Sequence, residues 1–318
     1  MKLLLTGGTG FFGRALLKAL ATNTQPVEVT VLTRNPTRFL HRYPQWATAS
    51  WLRVQVGDIT RPEAFAPLVG TECFTHVLHA AADSSDAAGV TALQRMDQIV
   101  TGTRNVLRFA AREGVQRFLL TSSGAVYGPQ AQDAITIPET CLGMPDPLSA
   151  GNTYGVAKRQ AEHLCALYAQ SHGLDIVVAR CFAFVGEDLP LDAHFAIGNF
   201  IRDAIERPVI EVSGNGRPLR SYLCQTDLAE WLLALLRRGK PGEAYNVGSD
   251  QAISIAELAL LVRDVLAPEK PVNILGLAQT DDGQRNRYIP DITKARRSMG
   301  LEVRVPLRDA IVRAAHRP

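Results

Sequence analysis

Thr6-Gly7-Gly8-Thr9-Gly10-Phe11-Phe12-Gly13 decides the fold of this 318-residue chain. The octapeptide follows a short apolar run, Lys2–Leu5, and leads into a helical stretch, Gly13–Leu20. Gly8, Gly10 and Gly13 form GxGxxG, while Gly7, Gly10 and Gly13 form GxxGxxG. Both spacings do the same work. Glycines allow a tight turn and close backbone approach, and the helix N-terminus faces a pyrophosphate. A P-loop is excluded, because Arg14-Ala15 stands where Lys-Ser/Thr should follow Gly13. The plain alternative is a glycine-rich turn without a ligand, and the strand–loop–helix setting argues against it.

Working outward, Val27–Leu32, Arg53–Val56, His76–His79, Arg117–Leu120 and Asp175–Ala179 read as further short apolar strands. Helical stretches such as Thr91–Arg112 and Tyr154–Ser171 separate some of them, and Val100, Val106, Leu107 and Ala110 recur at helical spacing. Apolar strands alternating with helices predict an α/β fold, a Rossmann-type doubly wound parallel sheet covered on both faces. Beyond residue 180 prolines punctuate shorter elements. This predicts a dinucleotide-binding domain over 1–180, rejoined by 221–248, and a smaller C-terminal substrate lobe over 181–318. In the returning part, Thr226–Arg238 reads as a helix and Ala244–Val247 as a strand.

Lys plus Arg total 34 against 31 Asp plus Glu, a net charge of +3. That excess is too small to point to nucleic acid. No run reaches the roughly 18 apolar residues that span a bilayer, and Met1–Leu5 is too short for a signal h-region. The five cysteines form no CxxC pair, so neither a disulfide framework nor a zinc ribbon is expected. A cytoplasmic protein without a metal site fits this composition.

The second strand of a dinucleotide fold should end in a carboxylate for the adenosine ribose of NAD. Here Thr33-Arg34-Asn35 follows the strand. Arg34 suits a 2′-phosphate, which favours NADP over NAD; otherwise it is a solvated loop arginine. Asp58, in Gly57-Asp58-Ile59, meets the adenine amino group or caps the next turn.

Tyr154-Gly155-Val156-Ala157-Lys158 puts a phenol and an ammonium at i and i+4 on one helix face. A nearby cation favours the phenolate, so Tyr154 would exchange protons nearer neutral pH. Upstream, Thr121-Ser122-Ser123-Gly124-Ala125-Val126-Tyr127-Gly128 ends a strand with hydroxyls that suit a substrate oxygen.

At this point the chain resembles the extended short-chain dehydrogenase/reductases, most closely the nucleotide-sugar epimerases, 4,6-dehydratases and 4-keto reductases. The resemblance rests on Thr6–Gly13, Asp58, His79–Ala82, Thr121–Gly128, Tyr154–Lys158, Arg180, Arg220, Tyr245–Gly248 and Arg287–Lys294. It implies Tyr154 as general acid/base and Lys158 as the residue that tunes it and holds the nicotinamide ribose. Ser123 would polarise the sugar oxygen, with Ser122 as alternative. Gly7, Gly10, Phe11, Phe12, Gly13, Asp58, Ile59, Ala80, Ala81 and Ala82 would line the cofactor. Arg220 and Arg287 would grip a nucleotide diphosphate, as bidentate guanidinium contacts suit. Asn199, and His194 before it, fall where a substrate lobe would begin. The resemblance further implies a homodimer formed by the two long helices.

Departures from the family pattern narrow the reading. Dehydratases carry Asp-Glu after the catalytic hydroxyl; here Gly124-Ala125 can serve as neither acid nor base, so a 4,6-dehydratase is not expected. Ile99 and Ala183 replace two of the family's asparagines. The expected activity is NADP(H)-dependent reduction of a nucleotide-linked 4-keto-6-deoxyhexose. An NAD-dependent 4-epimerase using the same residues is the alternative. A catalytically silent dinucleotide sensor is a third reading, but such sensors typically lose the Tyr or the Lys, and both are kept here.

Overall fold

The computed structural model describes residues 1–70, 73–81, 89–131, 133–193, 195–276 and 286–316. Its centre is a parallel sheet. The first strands are β1 (Lys2–Thr6), β2 (Glu28–Thr33), β3 (Leu52–Val56), β4 (His76–His79), β5 (Arg117–Ser123) and β6 (Asp175–Cys181). Short strands follow: β7 (Phe184–Val185), β8 (Ile210–Val212), β9 (Leu219–Arg220) and β10 (Leu223–Cys224). Then come β11 (Ala244–Val247), β12 (Ile253–Ser254), β13 (Val272–Ile274) and β14 (Arg287–Tyr288). The sheet runs β3-β2-β1-β4-β5-β6-β11 and every pair in it is parallel. The strand order reverses between β1 and β4, the position where such sheets open a ligand crevice.

The helices are α1 (Phe11–Ala21), α2 (Pro36–Arg42), α3 (Ala92–Arg112), α4 (Thr153–His172), α5 (Ala196–Glu206), α6 (Gln225–Arg238), α7 (Ile255–Leu266), α8 (Thr293–Met299) and α9 (Leu307–Ala315). Apolar stripes decide where they pack. Leu16, Leu17 and Leu20 of α1 join Leu228, Trp231, Leu232 and Leu235 of α6 in one buried core against the sheet. Val100, Val106, Leu107 and Ala110 of α3 join Ala157, Ala161 and Cys165 of α4 in another. A third core collects Ile197, Phe200 and Ile201 of α5, Leu258 and Val262 of α7, and Ile311 of α9. Capping boxes start two of these helices, Thr91 with Gln94 at α3 and Ser254 with Glu257 at α7.

The sequence stops the fifth strand at Leu120, where hydroxyl residues begin. The ladder to β6 instead continues to Ser123, which pairs with Cys181. A parallel partner holds the polar tail in extended form, and this delivers Ser122 and Ser123 to the sheet's C-terminal edge. None of the helices among the described residues is long and apolar enough to cross a membrane.

Candidate active site

The glycine loop is shaped by contacts that exclude a Cβ. Gly7 has φ +75°, and a Cβ there would run into the Ala80 carbonyl and lie 2.6 Å from the Ala81 nitrogen. A Cβ on Gly13 would collide with Gly8. Gly10 N–H donates to the Gly7 carbonyl at 3.0 Å and caps α1 with no side-chain hydrogen bond. No acidic residue lies in the first turn of α1. Its N-terminal N–H groups and dipole therefore suit an anion, and the cradle fits the pyrophosphate of a dinucleotide. Ala80 and Ala81 border that cradle. Ala82 lies outside the described residues, as does His194. Phe12 packs edge-on against Phe184 at 5.1 Å, and the Phe11 carbonyl accepts from Gln225 Nε2 at 3.1 Å.

Arg34 is exposed at the end of β2. With Gln55, Val56, Asp58 and Arg61 it lines an open cavity of about 440 Å³. Asp58 caps the local turn: its Oδ1 accepts from the Thr60 N–H at 2.9 Å and the Thr60 hydroxyl at 2.8 Å. Ile59 packs on α3, with its Cδ1 2.5 Å from where a Cβ on Gly102 would stand.

Tyr154 lies in the first turn of α4, and a Cβ on Gly155 would come 2.6 Å from the Ala125 carbonyl. This close approach brings the helix start against the segment just after Ser123. One turn on, Lys158 is buried, donates from Nζ to the Thr121 carbonyl at 2.7 Å and sits 5.9 Å from the Tyr154 ring centre. Burial pulls its pKa down to about 8, while Cys181, Glu162 and Cys165 pull the other way. Beneath it lies His79, hydrogen-bonded to Thr6 at 2.6 Å and Thr103 at 3.1 Å. Burial and then the Lys158 charge push its pKa down to about 3, so it is neutral.

The two candidate serines part company. The Ser123 hydroxyl accepts from the Ala125 N–H at 3.1 Å. The Ser122 hydroxyl donates to Glu162 at 2.6 Å, because alternation along β5 turns it to the other side. Glu162 in turn pairs with Arg180 at 2.8 Å, and Arg180 donates to the Tyr127 hydroxyl at 2.9 Å. Arg180 thus belongs to a closed network that braces β5, β6 and α4.

The other expected substrate contacts are dispersed. Asn199 Oδ1 accepts from Arg202 at 3.3 Å on α5. Arg220 is half-buried on β9 and donates to the Leu219 carbonyl at 2.8 Å. The β9–β14 register sets Arg220 beside Tyr288 and Arg287 beside Leu219, so the two arginines do not face each other. Arg287 Nε and the Ser221 hydroxyl are each buried with no hydrogen-bond partner among the described residues. Orphaned donors of this kind suit an anionic ligand. No cluster of three potential metal ligands occurs among the described residues.

Residues 3–248 match the NAD dependent epimerase/dehydratase family. The chain belongs to this family. UDP-glucuronic acid decarboxylase 6 of Arabidopsis thaliana is 30% identical over 314 residues, covering 98% of this chain and 87% of that protein. UDP-glucose 4-epimerase from Thermotoga maritima, at 23% identity, superposes with a TM-score of 0.83 over 99% of this chain and 97% of its own. RMD from Pseudomonas aeruginosa, solved with NADPH, is 25% identical with a TM-score of 0.79 and coverages of 99% and 97%.

Sequence reasoning missed Tyr288 and Arg61. Tyr288 packs on Phe182 with ring centres 4.6 Å apart and ring planes tilted by 34°, and its hydroxyl is a hydrogen-bonding neighbour of Ser123. Burial raises its pKa above the ordinary phenol value, so it remains protonated. The side chain fills the space over Gly124. Its only signal was adjacency to Arg287. Arg61 was hidden in a polar turn, with nothing local to tie it to Arg34.

Proposed function

We propose that this family member is a nucleotide-sugar oxidoreductase that reduces a 4-keto-6-deoxyhexose, with Tyr154, Lys158 and Ser123 as its chemical residues. The carrying observation is a buried cation beside a phenol at the end of β5, with Gly124-Ala125 where an elimination would need acid and base. A reduced dinucleotide held by the glycine loop would supply the hydride to C4 and would leave oxidised. Ser123 is proposed to donate to the C4 oxygen and Tyr154 to protonate that oxygen as it gains charge. Lys158 sustains the phenolate electrostatically once the proton has left. Gly7, Gly10, Gly13 and the α1 N-terminus hold the pyrophosphate, and Arg34 with Arg61 takes a 2′-phosphate, which favours NADP. The NADPH in the RMD structure is consistent with this cofactor. Arg287, Arg220 and Ser221 are proposed for the substrate diphosphate, with 181–318, less 221–248, as the substrate lobe. Asn199 is a proposed contact of that lobe, and Ser122 a structural hydroxyl. A cytoplasmic homodimer through α3 and α4 completes the reading, and a mass measurement in solution tests the dimer.

An NAD-dependent 4-epimerase is the second reading, favoured by the fold shared with UDP-glucose 4-epimerase. The two separate by stoichiometry. Purified protein is offered a dTDP-4-keto-6-deoxyhexose, UDP-glucose and UDP-glucuronic acid, with absorbance at 340 nm and product NMR as readouts. One NADPH consumed per keto-sugar supports the reductase. Inversion at C4 with retained NAD and no net consumption establishes the epimerase. Release of CO₂ from UDP-glucuronic acid, the substrate named for the Arabidopsis relative, overturns both.

A further inference from the structure

Asp188, in the segment after β7, lies 174 residues from Arg14 in sequence yet meets it at 2.7 Å through Oδ1 and Arg14 Nε. Arg14 also donates to the Asp188 backbone carbonyl at 2.8 Å. The second carboxylate oxygen accepts from Lys18 at 2.9 Å and from Gln225 Nε2 at 2.7 Å. Gln225 Oε1 accepts the Asp188 N–H at 3.1 Å. The Asp188 side chain is only 4% exposed, so its charge is satisfied entirely by this cluster. Gly186 lets the backbone close in: a Cβ there would lie 2.6 Å from Gln225 Oε1.

Two partners of Asp188 reach on to the glycine loop. Arg14 Nη1 donates to the Thr9 carbonyl at 2.8 Å, and Gln225 Nε2 donates to the Phe11 carbonyl at 3.1 Å. Peptide units are planar, so fixing a carbonyl fixes the N–H on its far side. Holding Thr9 sets the Gly10 N–H, which closes the turn on Gly7. Holding Phe11 sets the Phe12 N–H, one of the unpaired donors at the start of α1. Burial alone would raise the Asp188 pKa, but Arg14, Lys18 and Gln225 outweigh it and keep the group ionised.

We propose that Asp188 is a positioning residue for the cofactor: through Arg14 and Gln225 it holds the dinucleotide loop in its binding geometry from outside the loop. This rests on the dinucleotide reading of the loop. Asp188, far from the loop in sequence, therefore sets cofactor affinity.

The test is the dissociation constant for NADPH and for NADH, by fluorescence titration of the full chain, with melting temperature recorded in parallel. Asp188→Asn keeps the shape and an acceptor for Gln225 but removes the charge that holds Arg14. It should weaken both dinucleotides at least tenfold in protein that remains folded at the titration temperature. Asp188→Glu should recover part of the loss. Arg14→Gln carries the same expectation if Asp188→Asn fails to fold, and the double variant should be no weaker than the worse single one. A lowered melting temperature with unchanged affinities makes Asp188 a fold determinant only and overturns the proposal. Wild-type protein that binds neither dinucleotide overturns the loop reading, and this inference with it.

Discussion

Gly124 and Tyr288 compete for one space: a Cβ on Gly124 would lie 2.6 Å from the Tyr288 hydroxyl oxygen and 2.8 Å from Phe182 Cζ. Gly124→Ala should therefore cost about 1–3 kcal/mol through overpacking. Tyr288→Phe removes one of the two obstacles, so the double variant should regain part of that loss. A thermal double-variant cycle reads the coupling. Additive effects would mean that the two residues do not meet.

Lys158 is held charged at a cost. Its folded pKa of about 8 lies below the ordinary lysine value of 10.5, so between these values the folded state binds fewer protons and stability rises with pH. Below pH 8 the whole penalty is present, roughly 3 kcal/mol by linkage. Lys158→Met should abolish turnover yet melt higher than wild type at pH 7, after an offset of about 1 kcal/mol for the lost Thr121 bond. The advantage should shrink as pH rises toward 10. Melting curves of both proteins at pH 7 and 9.5 check it.

His79 imposes the opposite limit. It is neutral when folded down to about pH 3 but charges near 6.5 when unfolded, so stability falls as pH drops through that window. The slope should be about 1.4 kcal/mol per pH unit, one proton's worth. His79→Gln should be less stable at pH 7 but should flatten the acid limb. Urea midpoints from pH 7 to 4 measure both effects.

On the proposed cofactor reading, the cavity beside Arg34 should separate the two dinucleotides. Loss of a guanidinium–phosphate contact at an exposed site is worth about 1–2 kcal/mol, close to a tenfold change. Arg34→Ala should weaken NADP⁺ by about that factor and leave NAD⁺ unaffected, and Arg61→Ala should add to it. Calorimetric titrations at low and moderate salt test this. Equal effects on both dinucleotides would place the 2′-phosphate elsewhere.

What the sequence disclosed depended on distance along the chain. The glycine loop, the Tyr154–Lys158 pair and the stripes of α3 and α6 are local periodicities, and all are legible. Ser123 was legible as a type of residue, but its separation from Ser122 was not: pairing with β6 keeps the polar tail extended, and alternation along the extended β5 then turns the two hydroxyls to opposite sides. Arg220 and Arg287 looked like a matched pair, yet the β9–β14 register sets Arg220 against Tyr288. Asp188, in the connection after β7, takes its importance from Arg14, Lys18 and Gln225, which no short window contains. Long-range ion pairs and strand registers leave no periodic trace, and they complete this site.

The last strand of the sheet has a consequence for biogenesis. β11 pairs Ala244–Val247 with Val178–Cys181 of β6, and Gly242 also donates to the Ile176 carbonyl. Until residue 247 has emerged from the ribosome, β6 offers a bare row of amides and carbonyls to any neighbouring nascent chain. The first 180 residues are thus an incomplete sheet, and a premature stop or a proteolytic cut there would release a sticky edge instead of a free-standing dinucleotide module.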